Sequence, residues 1–309
     1  MERWNDSMTE YRKMKRFGLL AALALITFTS LAFAQPRVRS LSFYSPSVHE
    51  TMRMVVLLPE HYQKSMKYPI LYLLHGYDGN ETDWVTKTDI TYYTQRLAMI
   101  VVMPEAKNSW YVNSQTDTSE RYENYIMDDL PKFIDSEFSV DTTRQAIAGL
   151  SMGGYGALML ALRYPNNFLF AGDLSGAITI PGVIDSVLAH PGAPIPGGQG
   201  PIYPSIVKAF GTNNKSFRDS HNVFVLAKRD SADKLPYIFC AVGIQDGFTD
   251  FLPAHREFTD ILRKYGKLYE YHEVPGVHSW TFWDEEIQPL LRRLVSVMKV
   301  AEYPGAATK

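Results

Sequence analysis

One cysteine in 309 residues, Cys240, is too few for an internal disulfide or for a metal site built from several thiolates. A lone thiol has no resolving partner, which argues against redox chemistry as well. Charge imbalance is also missing. The chain carries 31 Lys and Arg against 33 Asp and Glu, a formal net charge of -2, so there is no electrostatic basis for a nucleic-acid partner. No internal repeat and no low-complexity linker divide it. What remains is ordinary globular material, 46% hydrophobic, enough for a large core.

The first residues do not read as part of that core. Arg12, Lys13, Lys15 and Arg16 precede an apolar run from Phe17 to Ala34, which closes on Ala32-Phe33-Ala34, a small-x-small cleavage pattern. Residues 1–34 are therefore expected to be a signal peptide, with Met14 as an alternative start. The competing reading is an uncleaved anchor, although the run is marginal in length for a bilayer. A mature chain of residues 35–309, exported to the periplasm or secreted, with no stable membrane span after cleavage, is the expectation. It is read as one domain.

Along the mature chain the hydrophobic pattern alternates between two periods. "RVRSLSFYS" and "TMRMVVLLP" suggest antiparallel N-terminal strands. "YPILYLLHG", "MIVVMPE", "RQAIAGLS", "FLFAGDLSG" and "LPYIFCAVG" are apolar runs of buried strands, and "KLYEYHEVPG" alternates like one. Helical spacing falls between them, in "TYYTQRLA", in "YENYIMDDLPKFIDSEF" with Pro131 as a suspected kink, after Ser151, in "FLPAHREFTDILRKYG", and in the closing "SWTFWDEEIQPLLRRLVSVMKV". This order predicts an α/β fold, a mostly parallel sheet with helices on both faces. Residues 178–233, rich in Gly, Pro and Asn, break the rhythm and are expected to form a cap-like insertion over a site.

One corner concentrates chemistry. In "AIAGLSMGGYGALMLAL" a strand turns into a helix at Ser151, with Gly149 and Gly153 two residues to either side. A turn that sharp would bring side chains at those positions into collision, and it lifts the serine hydroxyl above the sheet edge. The amide of Met152 then points where an oxyanion would form. A serine hydroxyl needs a base. In this kind of turn the acid and then the histidine follow downstream. His190 and His221 lie in the insertion, His255 within a helix and His272 within a strand. His278 follows the last strand directly, at its carboxyl end. For the acid, Asp246 in "GIQDGF" trails a strand end. Asp250 is better explained as a helix N-cap, while Asp173 and Glu273 fall inside strand runs. The second oxyanion donor is expected from the loop "LLHGYDGNETDW", at the amide of Tyr77, with His75 bracing the loop. Trp110, Tyr111, Trp280 and Trp283 offer flat surfaces to a substrate, or else simply pack as core or rim.

Taken together, "GLSMGGYGALMLAL", "HGYDGNETDW", "NSWY", "YENYIMDDLP", "GIQDGF" and "PGVHSWTFW" resemble the putative-esterase family of α/β-hydrolases, over Leu41 to Leu290. That family includes tributyrin, feruloyl and acetylxylan esterases, S-formylglutathione hydrolases and mycolyltransferases. The resemblance implies the α/β-hydrolase fold, a triad of Ser151, Asp246 and His278, and oxyanion donors at Tyr77 and Met152. The mycolyltransferases carry glutamate as the acid, so Asp246 sits closer to the esterase branch. No metal and no cofactor is implied. The expected partner is a small-molecule or polysaccharide-linked ester. Export disfavours S-formylglutathione hydrolysis and suits removal of acetyl or feruloyl groups from polysaccharides. The alternatives are a general short-chain carboxylesterase, an acyltransferase, or a hydrolase-fold binding protein without activity.

Overall fold

The computed structural model describes residues 37–190, 202–229 and 235–304; the leader expected over residues 1–34 lies outside them, as do parts of the expected insertion. Val38–Ser45 (β1) and Glu50–Leu57 (β2) pair antiparallel. Tyr68–Leu74 (β3) and Ile100–Pro104 (β4) run parallel, and β2 joins β4 antiparallel. The sheet continues in parallel through Val140–Leu150 (β5), Phe170–Leu174 (β6), Tyr237–Gly243 (β7) and Tyr269–Val274 (β8). The resulting order is β1-β2-β4-β3-β5-β6-β7-β8, the mostly parallel α/β arrangement with antiparallel N-terminal strands.

The short helices Asp83–Lys87 (α1), Ile90–Tyr93 (α2) and Tyr122–Asn124 (α3) precede Leu130–Glu137 (α4). Met152–Arg163 (α5) follows the serine corner. The insertion holds Gly182–Ala189 (α6), Ile202–Phe210 (α7), Lys215–His221 (α8) and Val223–Ala227 (α9). Phe251–Lys264 (α10) and Trp280–Met298 (α11) follow. Among the described residues no helix is long and apolar enough to cross a membrane.

The continuous apolar strands are explained by two cores. Every residue of β3, β4 and β6 is buried. Successive residues of a strand face opposite sides. Ile70, Tyr72 and Leu74 therefore join the core beneath α5 and α10, while Leu71 and Leu73 join the one beneath α1 and α11. Helices on both faces remove both sides of the strands from water, which is why these runs do not alternate.

Two local expectations are corrected and a third is given a local form. The helix read in "TYYTQRLA" is a single turn, Ile90–Tyr93, after which the chain passes into a turn. Pro131 lies within a helical run that is unbroken from Tyr122 to Glu137, where its missing N–H interrupts the regular hydrogen-bond ladder. It is preceded by a π-helical turn, Tyr125–Asp129, in which the Leu130 N–H reaches back to the Tyr125 carbonyl. In the insertion, Asn residues that suggest loop are helix starts. The Asn214 side chain accepts from Phe217 N and the Asn222 side chain from Phe224 N.

The topology sets the carboxyl ends of β3, β5, β6, β7 and β8 along one edge of the sheet, where the loops that follow each strand meet.

Candidate active site

Ser151 joins β5 to α5 with φ 52° and ψ -118°, a backbone that a non-glycine residue adopts only under constraint. The constraint is visible on both sides. A Cβ on Gly149 would lie 2.5 Å from the Gly153 carbonyl carbon, and one on Gly153 would lie 2.5 Å from the His75 carbonyl oxygen. Glycine at both positions lets the corner close and lets α5 begin against the end of β3. The corner is pinned by the Ser151 N–H on the Leu174 carbonyl at 3.0 Å, and by the Ser151 carbonyl, which accepts from Tyr155 and Ala177. Met152 opens α5, so its N–H is one of the first-turn donors that a helix leaves without an internal acceptor.

His278 comes from the loop after β8 and reaches Ser151: Nε2 lies 3.0 Å from Ser151 Oγ. Its Nδ1 lies 2.9 Å from Asp246 Oδ2, in the loop after β7. A carboxylate only accepts, so Nδ1 donates to Asp246, and Nε2 is left to accept the serine hydroxyl's hydrogen. The Asp246 side chain is 1% exposed, and its other oxygen accepts from the Phe248 N–H at 2.9 Å. The two loops are laced together, with Gln245 N–H on the Gly276 carbonyl and Gly276 N–H on Gln245 Oε1 at 2.7 Å. Edges and faces of Phe248, Phe251 and Trp283 enclose the imidazole, with ring centroids 4.8, 5.6 and 4.9 Å away.

The loop after β3 lies against the serine: a Cβ on Gly76 would be 3.5 Å from Ser151 Cβ. Tyr77 follows Gly76 and lines the same pocket. The loop is held from below. His75 is buried, its Nε2 accepts from the Ala106 N–H at 2.9 Å, and its Nδ1 donates to the Gly76 carbonyl at 2.7 Å. The Asp78 N–H donates to Asn108 Oδ1 and the Asn108 amide donates to the Asp78 carboxylate, each at 2.7 Å.

Ser151 and His278 open into a pocket of about 260 Å³. Part of its wall is apolar and comes from the insertion, through Ile180, Ile202 and Ile206. Another part holds Trp280 and Lys87, whose ammonium lies 4.9 Å from the Trp280 ring centre and 3.0 Å from Asp83 Oδ1. Trp110 lines the pocket and ties it to the insertion through a 2.9 Å bond from its indole N–H to Ser205 Oγ.

Other candidates go elsewhere. Tyr111 is 0% exposed and presents no face to the pocket. Its hydroxyl donates to the His75 carbonyl at 2.8 Å, beneath the Tyr77 loop, and its ring occupies the space that a side chain on Gly156 would need. Asp250 precedes α10 but does not cap it with its side chain. It lines the pocket and accepts from Thr179 Oγ1 at 3.1 Å. His272 bonds Glu270 and Glu286, and His190 is exposed. Glu273 forms a surface ion pair with Arg256.

Two buried histidine pairs carry no sequence signal of their own. His255 Nε2 meets Asp173 Oδ2 at 2.9 Å, and its Nδ1 meets the Phe251 carbonyl at 2.7 Å. Burial pushes the His255 pKa down, but the Asp173 charge and these hydrogen bonds outweigh it, so the imidazole sits above its usual range. His221 meets Glu123 at 3.0 Å; Glu123 also accepts from Arg163 and from the Tyr164 hydroxyl. Burial raises the Glu123 carboxyl, and those partners reverse the effect, holding it down at about 2.

The model of a family described as "Putative esterase" matches residues 45–294. The chain is 29% identical over 265 residues to a protein named acetyl esterase from Caldicellulosiruptor saccharolyticus, covering 81% of this chain and 95% of that one. It is 32% identical over 160 residues to an endo-1,4-beta-xylanase/feruloyl esterase from Xylanibacter ruminicola, covering 47% of this chain and 22% of that longer one. Among solved structures, the fluorophosphonate-binding serine hydrolase FphF of Staphylococcus aureus superposes with a TM-score of 0.69 at 25% identity, over 84% of this chain and 98% of its own.

Proposed function

The chain belongs to the putative-esterase family, a carboxylic-ester hydrolase of α/β-hydrolase fold, and from that premise we propose that Ser151, His278 and Asp246 are its catalytic triad. The observation that carries this reading is the position of one imidazole, 3.0 Å from a strained serine hydroxyl and 2.9 Å from a buried carboxylate. Ser151 Oγ attacks the ester carbonyl carbon as its proton passes to His278 Nε2. Asp246 holds the Nδ1–H tautomer and stabilises the imidazolium. The N–H groups of Met152 and Tyr77 receive the oxyanion, each such donor contributing about 3–4 kcal/mol to the transition state. The C–O bond to the alcohol breaks, His278 returns the proton to the departing oxygen, and an acyl-serine remains. Water repeats the sequence and releases the acid.

The substrate class is read as acetyl or feruloyl esters carried by polysaccharides. Support comes from relatives named for acetyl and feruloyl esterase activity, and from a pocket that combines an apolar wall with indole surfaces at Trp110 and Trp280. Trp280 and Trp110 are assigned to substrate contact. Export, through removal of residues 1–34, belongs to the same reading: polymer-linked esters lie outside the cell. The insertion is assigned to forming the pocket's apolar wall.

The test is p-nitrophenyl acetate with the wild type and Ser151→Ala, followed by acetylated xylan, methyl ferulate and tributyrin side by side. The wild type should show a burst of p-nitrophenol and Ser151→Ala none. Residual turnover within tenfold of wild type in that variant would remove Ser151 from the mechanism. Preference for tributyrin over both plant-derived esters would redirect the substrate reading.

A further inference from the structure

Three carboxylates line the pocket, and they are not equivalent. Asp83 is neutralised by Lys87 at 3.0 Å. Asp78 is engaged by the Asn108 amide at 2.7 Å. Asp250 has far less. Among the described residues the one side chain that donates to it is Thr179, through a single 3.1 Å bond to Oδ2. A carboxylate has about four acceptor sites, and Asp250, half-buried at the pocket wall, keeps acceptor capacity that a bound ester would cut off from water. Its neighbours in the pocket wall include Phe251, next in sequence, and Ile180, next to Thr179, which supply no donors from their side chains. The carboxylate is also not spent on the helix it precedes, since it makes no side-chain cap to α10.

We infer that Asp250, oriented by Thr179, is a specificity-determining residue that accepts a hydrogen bond from a hydroxyl group of the ester substrate. The inference rests on the site assigned to Ser151 and His278. Its physical basis is that Asp250, half-buried in the pocket wall, loses its remaining water when an ester fills the pocket, and an acceptor left unpaired in that complex penalises a substrate lacking the donor, a stronger discrimination than an apolar wall achieves by size. The same carboxylate repels an ester bearing a negative charge in that position. The substrate class follows: hydroxylated, uncharged esters over plain hydrocarbon ones. The hydroxyl has two sources, a ring hydroxyl on the acyl group or a free hydroxyl on a polyol alcohol.

Two matched pairs separate them. The acyl pair is methyl 3-(4-hydroxyphenyl)propanoate against methyl 3-phenylpropanoate; the alcohol pair is glycerol monoacetate against propyl acetate. Each is measured as kcat/KM with the wild type, Asp250→Ala and Asp250→Asn, with p-nitrophenyl acetate as the common reference. The wild type should favour the hydroxylated member of one pair by about tenfold or more, the scale of one hydrogen bond to a charged group. Asp250→Ala should bring that ratio close to one, and Asp250→Asn, which keeps a neutral acceptor, should fall between. General damage to the fold lowers both members together and leaves the ratio alone. If Asp250→Ala does not fold, the wild-type ratio and Asp250→Asn decide. Ratios near one for both pairs in the wild type, or a ratio unmoved in the folded variants, would overturn the inference while leaving the triad intact. Failure of the wild type to turn over p-nitrophenyl acetate would overturn the site reading itself, and this inference with it.

Discussion

His278 Nε2 lies 3.0 Å from Ser151 Oγ although 127 positions separate the two residues in the chain. The contact exists because β5 and β8 deliver their following loops to one edge of the sheet, with β6 and β7 between them. Asp246 arrives from β7, the immediate neighbour of β8, which brings its carboxylate to the far side of the same ring.

Asp246→Asn should reduce kcat by about 10³–10⁴-fold, because an amide in this position favours the wrong imidazole tautomer. KM and far-UV circular dichroism should stay near wild type. Steady-state kinetics with p-nitrophenyl acetate checks this. A loss below tenfold would show that Asp246 does not orient the base.

Gly153→Ala should damage both stability and activity. The added Cβ would lie 2.5 Å from the His75 carbonyl, so either α5 or the Tyr77 loop must move. Overpacking of this kind costs about 1–3 kcal/mol, and Tm should drop by about 2–6 °C, with kcat down at least about tenfold. Gly247→Ala is the control, since its Cβ would meet nothing within 4 Å. Equal behaviour of the two variants in a thermal melt would contradict the close-packing account.

The Glu123 cluster should govern part of the acid limb of stability. Its carboxyl is held at about 2 instead of 4.5 by His221, Arg163 and Tyr164. A depressed carboxyl pKa contributes stability that is present above about 4.5 and lost as pH falls toward 2, roughly 3 kcal/mol in all. Glu123→Gln should therefore lower Tm clearly at pH 7 and much less near pH 3. Melts across pH 3–7 read the difference, and a gap independent of pH would refute it.

The Asp173–His255 pair has the opposite sign. A histidine raised above 6.5 contributes stability that is complete below that value and is lost as pH rises through the folded pKa. Asp173→Asn leaves the imidazole without its counter-charge, a change of about 3–5 kcal/mol for a buried pair. The Tm deficit of this variant should be larger at pH 6 than at pH 9. A deficit that grows with pH would mean that the pair is neutral in the native protein.

Much of this was legible in short windows of sequence. A buried parallel strand declares itself as an unbroken apolar run, as Tyr68–Leu74 does, and the serine corner declares itself through the steric demand of Gly149 and Gly153. Composition misled where one residue type serves two purposes. Asn214 and Asn222 suggested loop and are helix caps. Tyr111 and Trp110 stand side by side in sequence with left-handed backbones at φ 59° and 56°. Both rings are buried, but Trp110 stands in the pocket wall and Tyr111 beneath the Tyr77 loop, a division no window of sequence contains.

The sequence by itself determined the strands, their order and the sharp turn at Ser151, because period, chirality and steric exclusion act over a few neighbouring residues. The tertiary structure alone decided that Asp250 faces the pocket instead of its helix, that Tyr111 is interior, and that His221 and His255 are consumed by buried carboxylates. Those outcomes depend on which distant side chain fills each hydrogen-bonding vacancy. Such vacancies arise when sheet and helices pack together and exclude water.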